Sequence, residues 1–371
     1  MKGNPDIPTN RHRLPHQTRG AVANVAHRFT HLDTTPFDDG WSHENGDRDE
    51  DAPPRLETHV AVDHAKSIIS RNVSPDVPFD RSVNPYRGCE HGCVYCFARP
   101  SHAYLDLSPG LDFETRLFQK PDAARLLRTE LGRRGYSPAT IALGANTDPY
   151  QPIERRLELT RDCLSVLADC RHPVSIITKS ALVERDIDLL GAMAQQTLAA
   201  VCLSITTLDR SLARIMEPRA ATPARRLATV RRLSAAGIPV FVLVSPIIPF
   251  INDHEIEAIL REAATAGAAG ANALLVRLPY EVAPIMEEWL RTHFPDRADR
   301  VLNTLRGARG GRLNDPRFGS RMRGEGPMAD MIMTRFRKAR AKTGLSERRW
   351  DLRTDLFTPP GRDDRQLSLF E

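Results

Sequence analysis

Asn84-Pro85-Tyr86-Arg87-Gly88-Cys89-Glu90-His91-Gly92-Cys93-Val94-Tyr95-Cys96-Phe97-Ala98 sets three thiols at C-x3-C-x2-C on a loop punctuated by two glycines. The loop continues a run at 82–86 that reads as a strand. Glycine lets such a loop turn tightly enough to aim all three sulfurs at one point. Soft thiolates in this arrangement suit an iron–sulfur cluster or zinc. A structural zinc site wants four ligands, so His91 or His102 would have to complete it. A [4Fe–4S] cluster on three cysteines keeps one iron free of protein, and a substrate or cofactor can bind there. Three buried cysteines that share no ligand are the remaining reading.

Downstream, short β-branched or apolar runs recur at 140–143, 174–178, 200–205, 240–244 and 273–278. With 82–86 they make six candidate strands. Helical patterns separate them. One opens at Pro121-Asp122 with Ala124, Leu127 and Leu131 on a shared face, and others span 154–168, 182–193, 223–236 and 252–266. Repeating βα units imply a parallel sheet, and right-handed crossovers between neighbours curl it into an incomplete (β/α)6 barrel. The fold class is α/β, with an irregular N-terminal extension at 1–81, the barrel at 82–280 and a mostly helical extension at 281–358. A tail follows at 359–371. Within the first extension, residues 20–29 read as a docking segment and the acidic stretch 34–51 as a solvated loop. Val60, Ala61, Ala65, Ile68 and Ile69 suggest a short amphipathic helix. Further helices are predicted at 281–293, 297–305 and 328–342. Between them lies an Arg- and Gly-rich interval, 306–326, which reads as a solvated linker or as a phosphate contact.

The 371 residues are 41% hydrophobic, 6% aromatic and 27% charged, the profile of a globular chain. A net charge of +5 is too small to name a nucleic-acid partner by itself. Six cysteines over this length do not make a disulfide scaffold. No apolar run is long enough to span a bilayer, and the opening residues lack the apolar core of a signal peptide. Membrane, collagen-like and disulfide-stapled secreted classes are excluded. A cytoplasmic protein in a reducing compartment is expected, with no membrane partner. Cys163, Cys170 and Cys202 read as structural.

The cysteine motif, with aromatic Tyr95 before its last thiol, resembles the signature of the radical S-adenosylmethionine (SAM) superfamily. More narrowly, residues 82–278 are similar to its photolyase-like group, related to spore photoproduct lyase. The resemblance implies a [4Fe–4S] cluster on Cys89, Cys93 and Cys96, and SAM chelating the open iron through its amino and carboxylate groups. One-electron reduction then yields a 5′-deoxyadenosyl radical that abstracts a substrate hydrogen, while the protein supplies orientation and a dry interior. It also implies an electron donor such as flavodoxin or ferredoxin.

Sites in parallel barrels lie at the C-terminal strand ends. By resemblance, Asn146, Thr147 and Asp148 after the second strand meet the SAM amino group. Lys179 after the third meets its carboxylate or ribose, and Ser204 ends the fourth. Glu217-Pro218-Arg219 resembles the family's E-P segment, with Arg219 a carboxylate partner. Two departures matter. Ala145 stands where the lyase has its cysteine hydrogen donor, and Phe97 stands where it has a tyrosine. Neither side chain donates a hydrogen atom, so spore-photoproduct repair is not the expected activity. Tyr95, Tyr104 and Tyr150 are the candidates to quench a radical instead.

The chain closes with Gln366, Leu367, Ser368, Leu369 and Phe370 before Glu371, similar to the peptide that docks repair and replication proteins on the DNA polymerase sliding clamp. Gln366, Leu367, Leu369 and Phe370 would be its anchors. The expected function is a radical SAM enzyme, lyase-like, acting on nucleic acid in a DNA-repair role. The alternatives are the same chemistry on a peptide, protein or small metabolite, or a non-catalytic iron–sulfur or zinc module.

Overall fold

The computed structural model describes residues 19–30, 56–347 and 351–361. Ten strands follow in chain order: β1 (His59–Val62), β2 (Ile69–Arg71), β3 (Arg81–Val83), β4 (Tyr86–Arg87), β5 (Arg116–Gln119), β6 (Ile141–Leu143), β7 (Val174–Thr178), β8 (Ala199–Ser204), β9 (Val240–Ile247) and β10 (Gly270–Leu275). Seven form one sheet in the order β10-β9-β8-β7-β6-β3-β2. All its pairs are parallel except β2 with β3. The six parallel strands occupy the six predicted runs, and each lies beside its sequence neighbour among them. That is the partial parallel sheet expected from the repeating βα units.

Both faces of these strands are largely buried, as their mainly apolar runs require. Val83, Leu143, Ile176, Val201 and Val242 all belong to the main core, and each pairs in register with a residue of the next strand. Helices Ala123–Leu131, Leu159–Asp169, Ile187–Gln195, Pro223–Ala235 and Ile256–Thr265 pack their apolar stripes over the sheet. The cysteine loop leaves β3 through β4, which joins β5 and β1 in a small second sheet.

Three local expectations are corrected. The helix expected around Val60–Ile69 is instead the strands β1 and β2, because β1 finds a parallel partner in β5 and β2 an antiparallel one in β3. The helix expected over 154–168 breaks at Glu158, whose φ is +53°. The buried Glu154 carboxylate accepts the Thr160 amide at 3.1 Å and Arg185 at 2.7 Å, which holds the chain in a turn before the second helix starts. The helix expected over 182–193 begins as a 3-10 turn, Ala181–Asp186, with Asp186 turned inward to Tyr150.

The C-terminal helices complete the core. Val282–His293 and Pro295–Gly307 pack on each other around the fully buried Trp289 and reach Val94 and Tyr95 of the cysteine loop. Pro327–Lys342 covers β10 and helix Ile256–Thr265. In the Arg-rich interval, Arg309 is buried and donates to the carbonyls of Leu275 and Val276, whereas Arg317 pairs with Asp315 at the surface. Residues 351–361 cross the N-terminal strand ends, where the Thr358 amide donates to the Cys170 carbonyl. The acidic stretch and the clamp-like residues 366–370 lie outside the described residues.

Candidate functional site

The cysteine loop makes short turns of its own, with the Cys96 amide donating to the Cys93 carbonyl at 3.2 Å, and is held from outside as well. Arg99, fully buried, donates to the carbonyls of Cys93 (2.9 Å), Gly92 (3.2 Å), Pro109 and Gly110, and ion-pairs with the equally buried Glu114. Glu114 in turn accepts the amides of Gly20 and Ala21, each at 2.9 Å, so the 19–30 segment is clamped beneath the loop. Gly92 has φ +66°, and a Cβ there would lie 2.6 Å from a Glu114 carboxylate oxygen. Only glycine fits that approach.

Cys89, Cys93 and Cys96 line one cavity of about 1040 Å³ at the C-terminal ends of the parallel strands. Burial, then Asp148 and the other two cysteines, pushes the Cys89 thiol well up. Burial pushes Cys93 up to about 12, with Lys179 working against it. Among the described residues, no three cysteine, histidine or carboxylate side chains converge on a position for one metal ion. Three thiols on the wall of one cavity are a donor set that suits a cluster, where each takes a different iron.

The strand ends supply the opposite wall. Asn146, Thr147, Asp148, Lys179, Ser204 and Tyr95 all line the cavity. Their side chains differ in what they have left to offer. Asn84 Oδ1 accepts the amides of Asn146 (2.9 Å) and Thr147 (3.3 Å), while the Thr147 hydroxyl donates to the Tyr86 carbonyl. The Asp148 carboxylate accepts the Thr178 hydroxyl and the Lys179 amide, each at 2.7 Å, and lies 3.2 Å from His91 Nδ1. Burial would raise that carboxyl, but His91 and these hydrogen bonds outweigh it and hold it at about 2. Asp148 is thereby spent on joining β6, β7 and the cysteine loop. The side-chain carboxamide of exposed Asn146 and the Lys179 ammonium, 5.7 Å from the Tyr95 ring centroid, remain for a ligand.

Behind Tyr95 lies a buried network. Glu217 accepts the Tyr95 and Thr206 hydroxyls and pairs with Arg226. Burial would raise the Glu217 carboxyl, yet Arg226 and Lys179 hold it at about 2. Three expected site residues lie elsewhere. Arg219 pairs with Glu90 at 3.0 Å, outside the cavity lining. Tyr150 is buried and donates to Asp186 at 2.9 Å, and Tyr104 is on the outer surface.

The sequence reading missed the cavity's charge. Arg71, Arg277, Arg321, Arg323, Arg337 and Arg340 line it with Lys179, against Asp76, Asp148, Asp330 and Glu347. Arg321 pairs with Asp76 and Arg340 with Glu347. Arg71, Arg277, Arg323 and Arg337 ion-pair with no carboxylate among the described residues. Arg277 stands two residues past β10, so the strand-end rule applied to β6, β7 and β8 would have found it.

Comparison with known proteins decides the family. The radical SAM superfamily model matches residues 83–263. An uncharacterized protein of Mycobacterium tuberculosis is 39% identical over 232 residues, covering 62% of this chain and 68% of the relative. The chain belongs to the radical SAM superfamily. A Methanocaldococcus jannaschii relative, also uncharacterized, is 30% identical over 173 residues, 47% of this chain and 62% of its own. A mutant of spore photoproduct lyase shares the fold at a TM-score of 0.54 and 15% identity, covering 77% of this chain and 80% of that one. Radical SAM proteins use a [4Fe–4S] cluster and SAM, so this chain is an enzyme of that class. Its cavity has the donors both require: three thiols on one loop, and unspent polar groups on the facing strand ends. No helix among the described residues is long and apolar enough to cross a membrane.

Proposed function

We propose that this radical SAM enzyme acts on nucleic acid. The four cavity arginines without a carboxylate partner carry the reading. A cavity wall with excess guanidinium beside the cofactor loop suits a substrate that brings phosphate, since arginine pairs bidentately with phosphate oxygens. When bound and reduced, the cluster would supply the one electron for cleavage of SAM into methionine and a 5′-deoxyadenosyl radical. Cys89, Cys93 and Cys96 hold the cluster as thiolates. Asn146, Lys179 and Ser204 offer SAM an amide, an ammonium and a hydroxyl at three successive strand ends. Thr147 and Asp148 act as positioning residues, because their polar atoms already bind the protein. Arg219 holds Glu90 beside Cys89 in the same capacity. Tyr95, on the cavity wall, is the candidate radical-quenching side chain of the three tyrosines. The six cysteines include no disulfide, in keeping with a cytoplasmic enzyme.

The test is anaerobic. The reconstituted, reduced protein with SAM is expected to form 5′-deoxyadenosine. It is also expected to bind an oligonucleotide with an affinity that falls steeply with salt, at a log–log slope of about −3 if most of the four arginines meet phosphate. Formation of 5′-deoxyadenosine without salt-sensitive binding would move the substrate to a peptide or metabolite. An intact cluster without SAM cleavage would leave a binding module. Spore photoproduct itself is not the expected substrate, because neither Ala145 nor Phe97 can donate a hydrogen atom, and efficient return of that lesion to thymines would contradict this.

A further inference from the structure

Two arginine-on-aromatic clusters bring the segment after the cysteine motif against the one after β10, the second of them through Arg28 of the 19–30 segment. At the cavity, the Arg277 guanidinium lies 5.2 Å from the Phe97 ring centroid. On the outer surface, the Arg28 guanidinium lies 4.3 Å from Tyr280, 4.7 Å from Phe29 and 5.2 Å from Tyr104. Glu281 pins Arg28 with hydrogen bonds of 2.8 and 3.0 Å. The gathered rings are not core, since Tyr104 is 72% exposed, Tyr280 68% and Phe29 50%. Tyr280 also holds a φ of +48°, a conformation bulky side chains rarely adopt.

Burial does not account for this cluster. A ring gains its apolar free energy by leaving water, and these three stay in it while being fixed around one cation. Such an arrangement suits a ligand that brings flat apolar faces of its own. Interleaved arginine and aromatic side chains are the chemistry of single-stranded nucleic-acid grooves, where bases stack on rings and cations follow the backbone. A duplex hides its base faces and gains nothing from exposed rings. We propose that Tyr104, Tyr280 and Phe29 form a stacking platform for unpaired bases of a single strand whose backbone passes Arg277 into the cavity. This rests on the nucleic-acid reading above and narrows it to single-stranded or locally opened substrate.

The experiment measures fluorescence anisotropy of a labelled mixed-sequence oligonucleotide and of its duplex, with the full-length reconstituted protein over a salt series. The Y104A/Y280A double variant is expected to weaken single-strand binding about tenfold per ring lost, with the salt slope unchanged because no phosphate contact is removed. Y104F/Y280F is expected to bind like the parent, since its rings remain. Iron content and melting temperature confirm that both variants are folded. If the parent binds the single strand and the alanine variant binds equally well, the platform is overturned and the nucleic-acid reading stands. Stronger parental binding to duplex than to single strand also overturns the platform. If the parent binds neither form at any salt, the underlying reading fails and the platform fails with it.

Discussion

Arg99 commits its guanidinium to four backbone carbonyls and one carboxylate, all within reach of the cysteine loop. Removing one partner of a buried ion pair strands the other. Arg99→Met is therefore expected to cost about 3–5 kcal/mol in urea unfolding, and to lower the iron retained after reconstitution. A loss below about 1 kcal/mol would show that Glu114 finds another partner. The thiols were legible in the sequence because cluster ligands obey a spacing. Arg99 was not, since an arginine that donates to carbonyls follows no spacing, and Glu114 and Gly20 reach it only through the fold. Tyr104 and Tyr150 show the converse. Residue type qualified both as radical quenchers, but only the fold reveals that one lies outside and the other behind the cavity wall.

The strands of the main sheet were legible because most of its parallel strands are short, mainly apolar runs largely buried on both faces. Their helices followed from the 3.6-residue period. Segment 59–71 was misread because its apolar positions fit a helical face, and only the distant strands β5 and β3 decide otherwise. Helix Pro327–Lys342, legible as 328–342, places Phe336 in the core over β10 with 2% exposure. Phe336→Ala is expected to destabilise the protein by about 3–5 kcal/mol. Chemical unfolding in which the variant matches the parent would mean that this helix is dispensable to the barrel.

Across the whole molecule, acid sensitivity follows from buried neutral groups. Burial pushes the His172 imidazole down to about 4, although its bond to the Pro173 carbonyl works the other way. Its Nδ1 lies 3.0 Å from that carbonyl and its Nε2 2.8 Å from the Tyr136 hydroxyl, so the neutral ring satisfies both. The unfolded chain binds a proton near 6.5 and the folded chain only near 4. Between those values the unfolded state holds more protons, so stability rises with pH across that window and levels off above it. Melting temperatures from pH 4.5 to 7.5 should fall steadily below about 6.5 for the parent and less steeply for His172→Gln. Parallel curves would assign the acid sensitivity to other groups.

The order of the sheet also bears on how the chain is made. From β2 through β10, strands of the main sheet are laid down in the order in which they stand side by side. Each unit leaving the ribosome can dock on the one before it, and no strand must wait for a later one to separate two already paired. The growing edge stays open until Ser346 bridges Gly270 and the helix before it covers β10. A nascent chain stalled short of that point presents a parallel, apolar edge to its neighbours. Helix Pro327–Lys342, the last among the described residues, lies over β10 and so covers the place where a foreign strand could pair.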